Sequence, residues 1–178
     1  MKRMIIFGAL CALAFTVRAE SGGTLTDDAL ALRGQGTATY LLFEVYEAQL
    51  YLPPQVKDSS ALQKETPRRL SLRYKRAIKR SDIELAAMST LQNQWPTEVV
   101  QGKKSQLDQL HAAMRDVKEN DIYTLDYRPG KGLILSLNDK AVWQGGDARL
   151  AEMYFGIWLG DEALSPELRL ALLGKAQD

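Results

Sequence analysis

The run from Ala38 to Leu52, ATYLLFEVYEAQLYL, constrains this chain more than any other segment. It is crowded with aromatic and aliphatic residues, holds no glycine or proline, and stops at Pro53-Pro54, a pair that cannot donate to a central ladder. It predicts one long strand, buried for much of its length, and such a strand needs partners. Arg68 to Lys75 supplies one, with Leu70, Leu72 and Tyr74 on one side and Ser71, Arg73 and Lys75 on the other, the period of a half-buried strand. Ile122 to Tyr127, Gly132 to Leu137 and Lys140 to Trp143 read as three more, antiparallel, joined by Arg128-Pro-Gly-Lys-Gly132 and by the tight-turn pair Asn138-Asp139. A meander is the economical topology.

Helical spacing fills the gaps between strands. Ser81-Asp-Ile-Glu84 and Ser105-Gln-Leu-Asp108 have the form of capping boxes, so a helix is expected to open at each. In the second, Leu107, Leu110, His111, Met114 and Val117 fall along one apolar side. A third helix carries Leu150, Met153, Tyr154, Ile157 and Trp158 on its buried side and is expected to stop at Gly160 in a left-handed cap. Ser165-Pro166 starts a last helix, whose Leu168, Leu170, Leu172 and Leu173 run to Gly174. A short helix over Ser59 to Lys64 is also expected. Strands followed by helices and strands again define an α+β class.

The first nineteen residues have the three parts of a secretory signal. Lys2 and Arg3 precede the apolar run Met4 to Val17, and Val17-Arg18-Ala19 presents small residues at a cleavage site. The run is shorter than the ~20 residues that span a bilayer, and no later segment approaches that length. The expected organisation is a signal peptide over residues 1–19, a Gly/Ser/Thr-rich leader over 20–29, and one domain over 30–178, periplasmic or secreted after cleavage near Ala19. The one cysteine, Cys11, lies in the signal, so disulfides, thiolate metal sites and thiol catalysis are excluded from the mature chain. The 23 Lys+Arg nearly balance the 22 Asp+Glu, which gives no electrostatic footprint for nucleic acid.

Few residues offer chemistry. The one histidine, His111, sits on an apolar helix side with no second histidine or thiol beside it, and is read as a packing residue. No metal site and no cofactor is expected. Gly34-Gln-Gly36 is too short for a dinucleotide fingerprint and reads as a turn before the long strand. Arg68 to Arg80 holds seven basic residues and no acid, a solvated strand face that could also attract a carboxylate. Tyr40 and Tyr46 share one face of the long strand and Tyr51 takes the other; core packing is the default for them, and a pocket lining the alternative.

Phe43-Glu-Val-Tyr-Glu-Ala-Gln-Leu-Tyr-Leu52, the capped helices, Asp121 with its strand, and the words Phe155-Gly-Ile-Trp-Leu-Gly160 and Leu172-Leu-Gly174 resemble the bacterial chalcone isomerase-like proteins over residues 30 to 174. The resemblance implies an antiparallel sheet with helices layered on one face and a ligand cleft between them. It also implies a ligand class, since relatives include plant enzymes that cyclise chalcones and non-catalytic members that bind fatty acids. In the enzymes an arginine near the start of the long strand stabilises the attacking phenolate without a cofactor. Here that position is Ala38, and Arg33 is the nearest basic residue. The plant enzymes also carry a tyrosine in the first capped helix, whereas this chain has none between Tyr74 and Tyr123. The reading is therefore an exported binder of a small hydrophobic or amphipathic ligand such as a fatty acid, without catalytic residues, and with Arg33, Ala38, Tyr40, Tyr46 and Arg73 as ligand-binding candidates. An isomerase using another cation, Arg33 or Arg73, and an envelope scaffold that binds a protein are the alternatives.

Overall fold

The computed structural model describes residues 30–57 and 60–175. The segments expected to be signal peptide and leader, Asp58, Ser59 and the last three residues lie outside them. Six strands form one antiparallel sheet in chain order: β1 (Ala31–Tyr40), β2 (Phe43–Leu52), β3 (Arg68–Tyr74), β4 (Ile122–Arg128), β5 (Gly132–Leu137) and β6 (Lys140–Gly145). Four helices complete the α+β architecture: α1 (Arg80–Gln94) and α2 (Thr97–Ala113) between β3 and β4, then α3 (Ala148–Leu159) and α4 (Pro166–Leu172). The meander expected of the last three strands forms, and the sequential order extends to the whole sheet.

The long strand is two strands. Tyr40 pairs with Phe43, and Leu41 and Leu42 turn the chain with φ of 47° and 70°. Both central residues at positive φ make the primed type of tight hairpin, which ordinarily takes Asn-Gly. Two leucines hide it from any composition rule. Gly34-Gln-Gly36 consequently lies inside β1, opposite Leu50 and Ala48, and is not a turn. Its glycines let α4 lie on the strand: a Cβ on Gly34 would stand 2.2 Å from the Ala171 carbonyl oxygen, and one on Gly36 2.9 Å from both the Ala171 and Leu168 side chains.

One face of the sheet is the core face. Tyr46, Ala48, Leu50 and Leu52 of β2 are buried beside Leu70, Leu72 and Tyr74 of β3, then Tyr123, Leu125 and Tyr127 of β4 and Leu133 and Leu135 of β5. The other face is polar, with Arg69 bonded to Asp126 at 2.7 Å and Lys75 to Glu47 at 3.2 Å. Burying a Leu-sized side chain contributes about 1.5–3 kcal/mol, so this repeated row is what fixes strand register.

The helix starts differ from the expected capping boxes. At α1 the Ser81 hydroxyl turns to Asp82, and the backbone N–H of Arg80 donates instead to Asp116 Oδ1 at 2.8 Å. α2 starts at Thr97 behind Pro96, so Ser105 and Asp108 lie within it; Asp108 pairs with Lys104 at 2.6 Å. The helix ends at Ala113, and Val117 is outside it, bridged to Ile78. Asp147 and Ser165 do cap α3 and α4, accepting from Leu150 N and Leu168 N. Gly160 ends α3 with φ −70°, not left-handed; it is the Gly156 carbonyl, 2.7 Å from where a Cβ would sit, that leaves no room for a side chain. Of the short helix expected over Ser59 to Lys64, Ser59 lies outside the described residues, Ser60 is 3-10 helical, and residues 61–65 are turns and a bend. Asn138 and Asp139 make the expected primed hairpin, at φ 50° and 63°.

Candidate functional site

Between the sheet and helices α1 and α3 lies a cavity of about 790 Å³. Its floor is Ala38 and Tyr46, then Leu72, Tyr74 and Tyr123, then Leu70, Leu125 and Leu135; its roof is Ile83, Ala86 and Ala87 of α1 and Tyr154, Ile157 and Trp158 of α3. The two roof helices are tied together by Gln94 of α1, whose Nε2 donates to the Gly156 carbonyl of α3 and the Glu162 carbonyl beyond it at 2.8 and 2.7 Å. Tyr40, Asp82, Leu85, Ser89 and Leu164 line the cavity yet are exposed, so they form its mouth.

Tyrosines dominate the polar content. Trp158 Nε1 donates to the Tyr46 hydroxyl at 2.9 Å and ties β2 to α3. The Tyr123 hydroxyl accepts from Arg115 N at 2.8 Å and donates to Arg115 O at 3.2 Å. The Tyr74 ring lies edge-on to both, with centroids 5.8 Å from Tyr46 and 6.2 Å from Tyr123. Among the described residues nothing hydrogen-bonds the hydroxyls of Tyr74 and Tyr154, and both residues line the cavity. Burial pushes the Tyr46 phenol up to about 12 against the Trp158 bond, which pulls it down, and drives Tyr74 and Tyr154 strongly upward. All three stay protonated donors across physiological pH.

Three of the five candidate residues meet here. Ala38 and Tyr46 face each other across the β1–β2 pairing inside the cavity, and Tyr40 stands at the mouth. Tyr40 and Tyr46 share a face as expected, though on different strands. Arg33 and Arg73 are elsewhere. The Arg33 guanidinium donates to the Val56 carbonyl, and Arg73 projects from the outer face of β3, opposite Glu47. No lysine, arginine or histidine is among the lining residues, and Asp82 is their one charged member. Trp158, expected in the core, is only half-buried because one side of it borders the cavity.

Arg68 is the cation that sequence reasoning passed over. It lies one step beyond Leu70 on the inner face of β3, fully buried between the rings of Tyr127 at 4.5 Å and Phe155 at 4.8 Å. Its Nη1 donates to the Gln63 and Thr66 carbonyls, while Nε and Nη2 have no hydrogen-bond partner among the described residues. Burial lowers its pKa to about 10, so it keeps its charge at neutral pH. The alternation that points Leu70, Leu72 and Tyr74 inward points Arg68 inward too; only its place in a basic run obscured this. His111 is buried beside Tyr154, ring centroids 5.8 Å apart, with Nδ1 3.9 Å from Glu84, and does not line the cavity. Among the described residues no cluster of three His, Cys, Asp or Glu side chains could hold a metal, and no helix is long and apolar enough to cross a membrane.

A six-stranded antiparallel sheet with helices on one face and an apolar cavity between the layers is the arrangement of a chalcone isomerase-like protein. The chain belongs to that family: the model of the family described as chalcone isomerase-like matches residues 15–174. It is 25% identical over 148 residues to an uncharacterized protein of Haemophilus influenzae, covering 81% of this chain and 68% of that one. A fatty-acid binding protein of Arabidopsis thaliana has the same fold, with a TM-score of 0.65 at 14% identity over 82% of this chain and 87% of its own.

Proposed function

We propose that this protein is exported and holds a small hydrophobic or amphipathic molecule, a fatty acid or one of similar shape, without transforming it. The carrying observation is the cavity, whose volume falls in the ~300–1,000 Å³ range of small-molecule sites and whose walls are Leu, Ile, Ala and aromatic rings. A ligand chain lies along the floor, and its polar end meets the donor hydroxyls of Tyr74 and Tyr154. The Arabidopsis neighbour, named for fatty-acid binding, supports the same ligand class. Cyclase chemistry has little to work with: at Ala38 a methyl group stands where the resemblance expects the cation, and Arg68 is outside the lining. Removing one preorganised electrostatic contact from other enzymes costs about 10²- to 10³-fold in rate.

Two assays test this together. Native mass spectrometry of protein from its own cells is expected to show a non-covalent lipid-sized adduct on a chain beginning near Glu20, and a fluorescent fatty acid is expected to be displaced by competing fatty acids. Efficient turnover of a chalcone, or a bare chain that displaces no probe, defeats the reading.

A further inference from the structure

The turn that splits the long strand is an anomaly in two respects. Leu41 and Leu42 occupy left-handed backbone at φ 47° and 70°, where a leucine Cβ is strained and Asn-Gly would be at ease. They are also 72% and 96% exposed, flanked by exposed Tyr40 and Phe43. Neither packing nor turn geometry is served by leucine at these positions.

Their surroundings indicate what the leucines meet. Of the seven exposed large hydrophobics among the described residues, six gather at one place: Tyr40 to Phe43, with Leu85 of α1 and Leu164 of the α3–α4 loop, which line the cavity mouth with Tyr40. The tip is layered. Leu41 and Leu42 are outermost, the Tyr40 and Phe43 rings come next, and Arg76 lies behind with its guanidinium 5.0 Å over the Phe43 ring. Aliphatic tip, aromatic belt and then cation is the polarity sequence from bilayer hydrocarbon through the interface to the phosphates. Arg76 and Lys79 are exposed and take no carboxylate partner among the described residues, leaving them for phosphate oxygens. Glu44 and Asp82 stand nearby, so burial of apolar surface and not net charge dominates the attachment.

We propose that the β1–β2 tip and the apolar rim it extends dock on a lipid bilayer, so that the cavity opens toward the membrane and exchanges its ligand there. This rests on the cavity being a site for a hydrophobic ligand. Such a ligand is sparingly soluble, and a mouth bordered by Leu85 and Leu164 gives it an apolar path out of the bilayer.

The discriminating variant carries Leu41→Asn with Leu42→Gly. It supplies the residues the turn geometry prefers, so the thermal midpoint is expected to stay or rise. Flotation with vesicles of phosphatidylcholine and phosphatidylglycerol is expected for the wild type and to weaken about tenfold or more in the variant, since two leucine side chains leave the lipid. Transfer of a fluorescent fatty acid from those vesicles is expected to slow in parallel, with the affinity for the same probe added from solution unchanged. Equal flotation of both proteins, or none by the wild type, overturns the proposal, as does a wild-type dimer that the variant turns into a monomer. If the wild type floats but binds no probe from solution, the cavity reading fails and the ligand-exchange part falls with it, while the docking part stands.

Discussion

His111 shows how a single side chain couples this fold to pH. Burial against Tyr154 disfavours the imidazolium and holds the folded-state pKa below the ordinary 6.5; Glu84 and Asp108 pull it back up less strongly, and Arg80 reinforces the lowering. The unfolded chain therefore takes up a proton before the folded one does, and stability is lost as pH falls below about 6.5 toward the folded pKa. Denaturant titrations at pH 7.5 and 5.5 are expected to show that loss, and His111→Gln to flatten it; an unchanged slope in the variant would place the acid sensitivity elsewhere. Trp158 is a second residue whose role depends on the cavity. Because it is half-buried and bonded to the Tyr46 hydroxyl, Trp158→Ala is expected to cost about 1–2 kcal/mol, below the 3–5 typical of a fully packed tryptophan. A loss above that range would mean that the cavity side of the ring is packed rather than open.

The elements were legible in proportion to how far local pattern decides them. β3, β4 and β5 alternate cleanly, and the Asn138-Asp139 turn carries its own chemistry, so strands and hairpin could be read directly. The β1–β2 turn could not, since Leu41-Leu42 continues an apolar run while adopting a glycine-like backbone. Ser81 marked the start of α1 to within one residue but not its cap, which Asp116 supplies by tertiary contact, and Ser105 misled, since α2 starts at Thr97 behind the backbone restriction of Pro96. Of the cavity lining, Tyr40 and Tyr46 could be paired by strand parity and Ala38 only through the family resemblance, whereas Tyr154 looked like ordinary core; outside the lining, the inward Arg68 was hidden among six other basic residues. Gly34 and Gly36 read as a loop because a close approach by α4 leaves no local trace. Their role is testable. Gly34→Ala is expected to destabilise by about 3 kcal/mol, since its Cβ would press on the Ala171 backbone oxygen. Gly102→Ala in α2, where nothing lies within 4 Å, is expected to stabilise by about 0.5–1 kcal/mol. Equal effects in thermal melts would contradict α4 lying against β1.

At the scale of the molecule, the sheet and the α1–α3 pair, joined by Gln94, enclose a space that the tyrosines make polar at a few points among aliphatic walls. The family fold positions such a space, but whether it is a site depends on its lining, and here the lining offers hydrogen-bond donors without a cation. The most direct test is to fill it. Ala86 faces the cavity from α1 with room in front of it, so Ala86→Trp would occupy the ligand's volume while keeping the helix. Titration with a fluorescent fatty acid is expected to show saturable binding by the wild type and a loss of about tenfold or more in a folded Ala86→Trp protein. Undiminished binding by that variant would contradict the claim that this cavity holds the ligand.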